Sequence, residues 1–352
     1  MQELKRIINY KRIILLLIAA TVNVVFFLYD NKPVMDEDII NKENVAHETY
    51  IKNYHEEVNA IIDNADKLKK YSIFNKAGSF SYANILQTAR DFERVKNVIL
   101  PEDEYKGVQA YTTYYYQYFF TMLVMMFVIY DMFAQRDNGM WSITYSCANG
   151  RIMYAIKQTG VIVVTGAFTH TLIYWSTFIA AMLQRGGVRD LVNPVQTIET
   201  FDKFTYPWSK IKYVTVLYLI SMVCIVALCI TIWGVFVMFR NRVYALVTML
   251  IFAAVEQFIY SHIDIHSVWN GLHYINIINI ININATFSSY RNWGVGTYVF
   301  PVFSVVLFVH IICAGVIGYI AINVSASMKP YKNTTFIKRF TDCVSAGCQK
   351  IL

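Results

Sequence analysis

Ionisable side chains inside long apolar stretches are the residues of this sequence that point most directly to chemistry. Glu256 lies near the end of one apolar run, and His170 lies midway along another. An ionisable group in hydrocarbon costs about 2.5 kcal/mol or more, so it normally faces protein or a water-filled cavity. Each residue therefore lines a pathway through the membrane or forms a hydrogen bond between helices, and Glu256 has the further option of reaching the nearby surface.

A second group of polar residues has the spacing of possible metal ligands. His262 and His266 are one helical turn apart, with Asp264 between them and His273 nearby. A metal site needs three or four converging ligands. The surrounding segment is too polar to span a membrane and too apolar for a free loop, so these side chains are expected at a wet membrane boundary, without a metal.

The sequence lacks the common catalytic and nucleotide-binding motifs. No glycine is followed by lysine, which excludes the phosphate-binding loop Gly-x-x-x-x-Gly-Lys-Ser/Thr. Gly-x-Ser-x-Gly, His-Glu-x-x-His and Cys-x-x-Cys are also absent. We therefore expect no enzymatic activity and no cofactor in this chain itself.

The composition is that of a membrane protein. Of 352 residues, 56% are hydrophobic and only 16% are charged, against about a quarter charged in typical soluble domains. The net charge of +7 is spread beside the apolar runs and forms no single stripe, which excludes a nucleic-acid partner and favours a lipid bilayer.

Six stretches are long and apolar enough to cross a bilayer, which takes about 20 residues. We therefore predict an all-α integral membrane protein with six transmembrane helices. Apart from the mildly basic loop Arg185–Lys212, lysines and arginines cluster on one side of these stretches. This predicts that both termini are cytoplasmic in a cell membrane, most simply a bacterial one. The predicted spans are Ile13–Tyr29, Tyr114–Phe133, Thr159–Leu183, Tyr213–Phe239, Val243–Tyr260 and Tyr298–Val324.

The chain divides at these spans. Residues 1–30 form the N-terminal segment and first span, 31–113 an extracellular helical domain, 114–327 the remaining spans, and 328–352 a basic cytoplasmic tail. Apolar residues at helical spacing predict helices over Glu37–Lys70 and Tyr82–Val98. The tyrosines of 111–118 are expected in an interface belt. Asp131 is expected to be solvated or to pair with a basic neighbour such as Arg136. The outer loop 261–297, with its Ile/Asn run Ile275–Asn284, is expected to be semi-buried.

The loop between the second and third spans, 134–157, has an unusual order of residues. An acidic residue and a glycine precede a short amphipathic stretch, and a Gly-Arg pair and a lysine follow it; these are Asp137, Gly139, Met140, Trp141, Gly150, Arg151 and Lys157. Apolar bulk falls on one face of a short helix, Gly139 and Gly150 permit tight turns at its ends, and Arg151 supplies a fixed charge.

This segment resembles the cytosolic loop of ABC-2-type permeases of Gram-positive exporters, where glutamate often occupies the position of Asp137. The resemblance implies a coupling helix that fits a groove on a separate cassette ATPase, which would bind ATP and Mg. It also implies a second permease subunit, identical or homologous, and a substrate such as a peptide, an antibiotic or a lipid-like compound. A stand-alone secondary transporter or channel, or a membrane sensor whose extracellular domain binds a ligand, is the alternative.

Overall fold

The computed structural model describes residues 10–33, 36–71, 76, 78–101, 106–137, 150–264 and 267–327. Three single-turn 3-10 helices lie between residues 189 and 201. In chain order, the helices and strands are α1 (Tyr10–Asp30), α2 (Glu37–Leu68), α3 (Phe80–Glu93), α4 (Gly107–Thr113), α5 (Tyr116–Asp137), α6 (Gly150–Arg185), α7 (Lys210–Met238), α8 (Arg242–His262), α9 (Asn270–Ile275), α10 (Ile278–Ile281), α11 (Ile283–Ser288), β1 (Asn292–Val295), β2 (Tyr298–Pro301) and α12 (Val302–Ser327).

Six of these helices are long and apolar enough to cross a membrane, namely α1, α5, α6, α7, α8 and α12. Each overlaps one of the six predicted spans, so the prediction of a multi-pass, all-α membrane protein is confirmed. Within the described residues, the only sheet is the antiparallel hairpin of β1 and β2, in which Trp293 pairs with Phe300.

Two spans start four or more residues away from their predicted starts. The third span, α6, begins at Gly150 and not at Thr159. Residues 151–158 are good helix formers, and their two charges lower the hydropathy without breaking the helix. The sixth begins at Val302 and not at Tyr298, because Tyr298–Pro301 is a strand paired across a turn at Gly296, whose φ is +62°.

Segment 31–113 and two later loops meet at one end of the helix bundle. The Tyr50 hydroxyl donates to the carbonyl oxygen of Gln196 at 2.7 Å, and the Tyr290 hydroxyl donates to the Asp91 carboxylate at 3.0 Å. Each bond joins segment 31–113 to a different loop. The loops that follow the first, third and fifth spans therefore share one side, as six consecutive crossings require.

Arginines gather at the opposite end of the bundle. Arg12 of α1 forms an ion pair with Asp131 of α5, and Arg136 donates to the carbonyl oxygen of Phe236 at the end of α7 at 3.0 Å. Asp131 is exposed and pairs with a basic residue, as expected, but that residue is Arg12 and not the suggested Arg136, which reaches across to α7.

Helices α2 and α3 form the core of segment 31–113. One face of α2 buries Tyr54, Val58 and Ile62 against Phe92 and Val95, which agrees with the amphipathic spacing of the sequence. Asp36 and Ser79 cap the two helices through their side-chain oxygens. Helix α3 ends five residues before the predicted Val98, and residues 94–97 continue as turns.

The Ile/Asn run contains α10 and the start of α11, and its two residue types make different contacts. Ile280 and Ile283 are buried in the main core. Asn276 accepts from the main-chain N–H of Ile278, Asn279 donates to the carbonyl oxygen of His273 at 2.6 Å, and Asn284 donates to that of Thr112 at 2.6 Å. The asparagines thus satisfy main-chain groups that such short helices leave open.

Small residues let α7 and α12 approach closely. A Cβ atom at Gly234 of α7 would overlap the Cγ2 of Ile317 of α12, and one at Gly318 would lie 3.1 Å from the Cγ2 of Ile230. Close packing at small residues is a main source of helix association in lipid. Gly315 of α12, by contrast, has open space around its Cβ position.

Gly234→Val tests this packing. We expect the added side chain to lower the free energy of unfolding by about 1–3 kcal/mol, because Ile317 is β-branched and cannot move aside freely. The matched change Gly315→Val should alter it by less than about 0.5 kcal/mol. Thermal unfolding of both variants in detergent measures the difference, and equal losses would contradict the proposed contact.

The Tyr290–Asp91 hydrogen bond gives a second prediction. Burial raises the pKa of Tyr290 to about 12, so its hydroxyl keeps the proton that it donates at any physiological pH. Tyr290→Phe should weaken the attachment of α3 by about 1.5–3 kcal/mol, the usual value for a hydrogen bond to a charged group. Hydrogen exchange of α3 amides should speed up, while Tyr298→Phe, at an exposed tyrosine, should leave it unchanged.

Candidate functional site

The structure describes only the two ends of the predicted coupling loop. Asp137 is the last residue of α5, and Gly150 is the first residue of α6. Gly139, Met140 and Trp141 lie outside the described residues. Gly150 itself is helical, and the turn predicted at this end of the coupling segment involves residues outside the described ones.

Arg151 makes a contact inside the protein. Its Nη1 donates to the carbonyl oxygen of Ala326 at 3.5 Å, in the last turn of α12. Helix C-termini carry partial negative charge, which a guanidinium stabilises. Arg151 therefore joins the start of α6 to the end of α12. The sequence did not indicate this contact, which is separate from the coupling role predicted for Arg151.

Helix α6 runs through the whole bundle. Its 36 residues measure about 54 Å at 1.5 Å per residue, well beyond the roughly 30 Å of hydrocarbon in a bilayer. It packs against α1, α4, α5, α7 and α12. Helix α6 is thus one continuous helix that contacts four of the other five long helices.

His170, one of the two ionisable residues singled out in the sequence, is buried in the middle of α6, with 1% of its surface exposed. Its Nε2 lies 2.8 Å from the Ser221 hydroxyl oxygen of α7, and its ring stacks on those of Tyr118 and Tyr218. This is the geometry of a hydrogen bond between helices. His170 does not line the cavity between α7, α8 and α12.

A cavity of about 240 Å³ lies between α7, α8 and α12. Ile275 and Ile277 of the outer loop also line it. Most of its wall is apolar, and the side chains with polar atoms or sulfur that line it are Thr231, Glu256, His310 and Cys313. Glu256 was predicted as a pathway residue, and it is half-buried here.

Glu256 attaches the outer loop to α8. Its carboxylate accepts a hydrogen bond from the main-chain N–H of Ile277 at 3.0 Å, and its carbonyl oxygen accepts from the Asn276 side chain at 2.7 Å. Within the described part of the chain, Glu256 has no ion pair. The carboxylate thus lies at the cavity wall with a main-chain donor and without a cationic partner.

His310 is a cavity residue that the sequence reading missed. Its Nδ1 lies 2.8 Å from the carbonyl oxygen of Val306, which can only accept, so Nδ1 carries the proton of the neutral ring and Nε2 is left as an acceptor. The signal was present in the sequence, because a histidine inside a 26-residue apolar helix is an ionisable group in hydrocarbon just as Glu256 is.

The described histidines of the outer loop make separate contacts. His262 Nδ1 lies 3.0 Å from the carbonyl oxygen of Phe258, and the His273 ring stacks on Tyr260 at 4.6 Å between centroids. His266 lies outside the described residues. Among the residues that are described, no group of three histidine, cysteine or acidic side chains has the arrangement of a metal site.

Neither the cavity nor the fold is identified by similarity. No family model matches this chain, and no curated protein or solved structure matches it either. The two main features of the described structure are the continuous helix α6, which begins at Gly150, and a cavity among apolar helices that contains the Glu256 carboxylate.

Proposed function

We propose that this chain is the membrane-spanning permease subunit of an ATP-driven exporter of the ABC-2 type. The observation that carries the proposal is the continuity of α6 from Gly150, beside the segment that resembles a coupling loop, to Arg185 at the far end of the bundle. A single helix of this length transmits a push at one membrane surface to the packing around His170 and beyond.

The energy source is a separate chain. The sequence has no phosphate-binding loop, so ATP and Mg belong to a cassette ATPase that contacts the segment from Asp137 to Arg151. Arg151 also contacts Ala326, and movement of this segment therefore acts on α6 and on the end of α12 together. A second permease subunit, identical or homologous, completes the path.

The sidedness follows from the charges. Arg12, Arg136 and Arg151 lie at one end of the bundle, where the excess of basic residues favours the cytoplasm. The termini and the coupling segment are then cytoplasmic, and segment 31–113 with the two loops attached to it is extracellular. The cavity at Glu256 lies toward the outer end of α8 and forms part of the path for the exported compound.

The coupling role is tested by purifying the tagged chain from its native membranes. We expect a protein with a phosphate-binding loop to co-purify and to hydrolyse Mg-ATP. Trp141→Ala should reduce the ATPase recovered by at least about tenfold, because a buried tryptophan at an interface is commonly worth 2 kcal/mol or more.

The matched control is Trp269→Ala, which removes an exposed tryptophan from the loop at the opposite end of the bundle. It should leave ATPase recovery unchanged. Two results contradict the proposal: purification of the wild-type chain without an ATPase from several detergents, or equal recovery with Trp141→Ala and Trp269→Ala.

A further inference from the structure

The cavity between α7, α8 and α12 has a definite charge. Glu256 is acidic, and none of the described residues that line the cavity is a lysine or arginine. The one hydrogen bond that its carboxylate receives comes from the neutral main-chain N–H of Ile277. A carboxylate at membrane depth is costly without a positive partner, so an empty cavity leaves a negative charge that a bound cation would stabilise.

The rest of the wall suits an apolar body. Leu228, Phe252 and Ile317 line the cavity beside Glu256, and the face of a phenylalanine ring attracts an organic cation as well as hydrocarbon. The volume of about 240 Å³ equals that of roughly eight water molecules in the liquid. It holds an ammonium group with part of an attached chain.

The cavity also opens sideways. Phe252 and Cys313, on its rim, are exposed. Helix α8 is the least buried of the six long helices, because only 11% of its most apolar 18-residue stretch is buried within the protein. The opening therefore lies on the flank of the bundle that faces hydrocarbon. A compound that enters there must first partition into the bilayer, which selects amphipathic molecules.

We infer that this cavity binds an amphipathic organic cation, with the positive group at Glu256 and the apolar body against α7 and α12. His310 offers its Nε2 as a second acceptor beside the carboxylate. The inference names the substrate class of the path and so rests on the proposed export function, but ligand binding at the cavity is measurable without any ATPase.

Cys313 allows the charge of the cavity to be measured directly. Cys224 and Cys229 are buried and can stay, while Cys147, Cys343 and Cys348 are replaced by serine. The purified protein reacts with two methanethiosulfonates that differ in the attached group, one trimethylammonium and one sulfonate. Each rate is divided by that for a free small thiol, and Cys313→Ser identifies the labelled site.

We expect the cationic reagent to label Cys313 faster than the anionic one after this correction. Glu256→Gln should reduce the corrected ratio of the cationic to the anionic rate by roughly tenfold, the size of a Coulomb effect at a partly buried site. Glutamine keeps an oxygen that accepts from Ile277, so the loop stays attached. Glu199→Gln, the same change at an exposed residue outside the cavity, should leave the ratio unchanged. An unaltered ratio in Glu256→Gln overturns the inference.

Competition identifies the ligand class. With the protein in dodecyl maltoside, added dodecyltrimethylammonium should slow labelling of Cys313 by a small neutral maleimide, whereas laurate, with the same chain length and opposite charge, should not. The protection should vanish in Glu256→Gln. Equal protection by both amphiphiles would mean an apolar crevice without charge preference and would overturn the inference.

The outcomes separate the two proposals. Charge-selective labelling and protection without a co-purifying ATPase would leave the cation site standing and remove the export function. A co-purifying ATPase that depends on Trp141, together with a cavity indifferent to charge, would leave the permease standing and remove the substrate class.

Discussion

Inside a bilayer no water is available to hydrogen-bond polar groups, so the protein must satisfy them internally, and the structure follows from this constraint. Asn23 of α1 illustrates it: its amide donates to Thr177 of α6 at 2.7 Å and accepts from the Tyr114 hydroxyl at 3.0 Å. His170 and Ser221 do the same between α6 and α7. These bonds fix which helix faces meet, while glycines such as Gly234 set how closely they meet.

The same constraint distinguishes the two ends of the bundle. At the outer end, side chains bond to main-chain groups of loops, as Asn284 does with Thr112, so that short helices can lie against the membrane helices. At the other end, arginines bond to helix carbonyls, as Arg136 does with Phe236. Among the described residues, several asparagines thus bond to main-chain groups at the end that contains α2 and α3, where Arg94 and Asp91 also form an ion pair, and arginines reach across helices at the other end.

Hydropathy and charge were enough to predict the six spans and the two outer helices, because burial in lipid and in a helical core leaves a period or a run in the sequence. Contacts between distant residues leave no such signal. Tyr111, Tyr114 and Tyr118 were predicted at the membrane interface, yet all three are buried against other helices; a tyrosine near a span end has the same pattern in either position. The partner of Asp131 was missed for the same reason.

Glu256 combines a structural and a chemical role, and the physical question is which of them keeps a carboxylate there. The hydrogen bond from Ile277 needs only an acceptor oxygen, which glutamine supplies at far lower cost in hydrocarbon. If attachment of the outer loop were the whole role, the negative charge would add an energetic penalty and nothing else. A charge without a counterion in an apolar-walled cavity is understandable when its counterion is a ligand that comes and goes. The hydrogen bond to Ile277 then has a second consequence, because it places Ile275 and Ile277 of the loop in the cavity wall beside the proposed cation site.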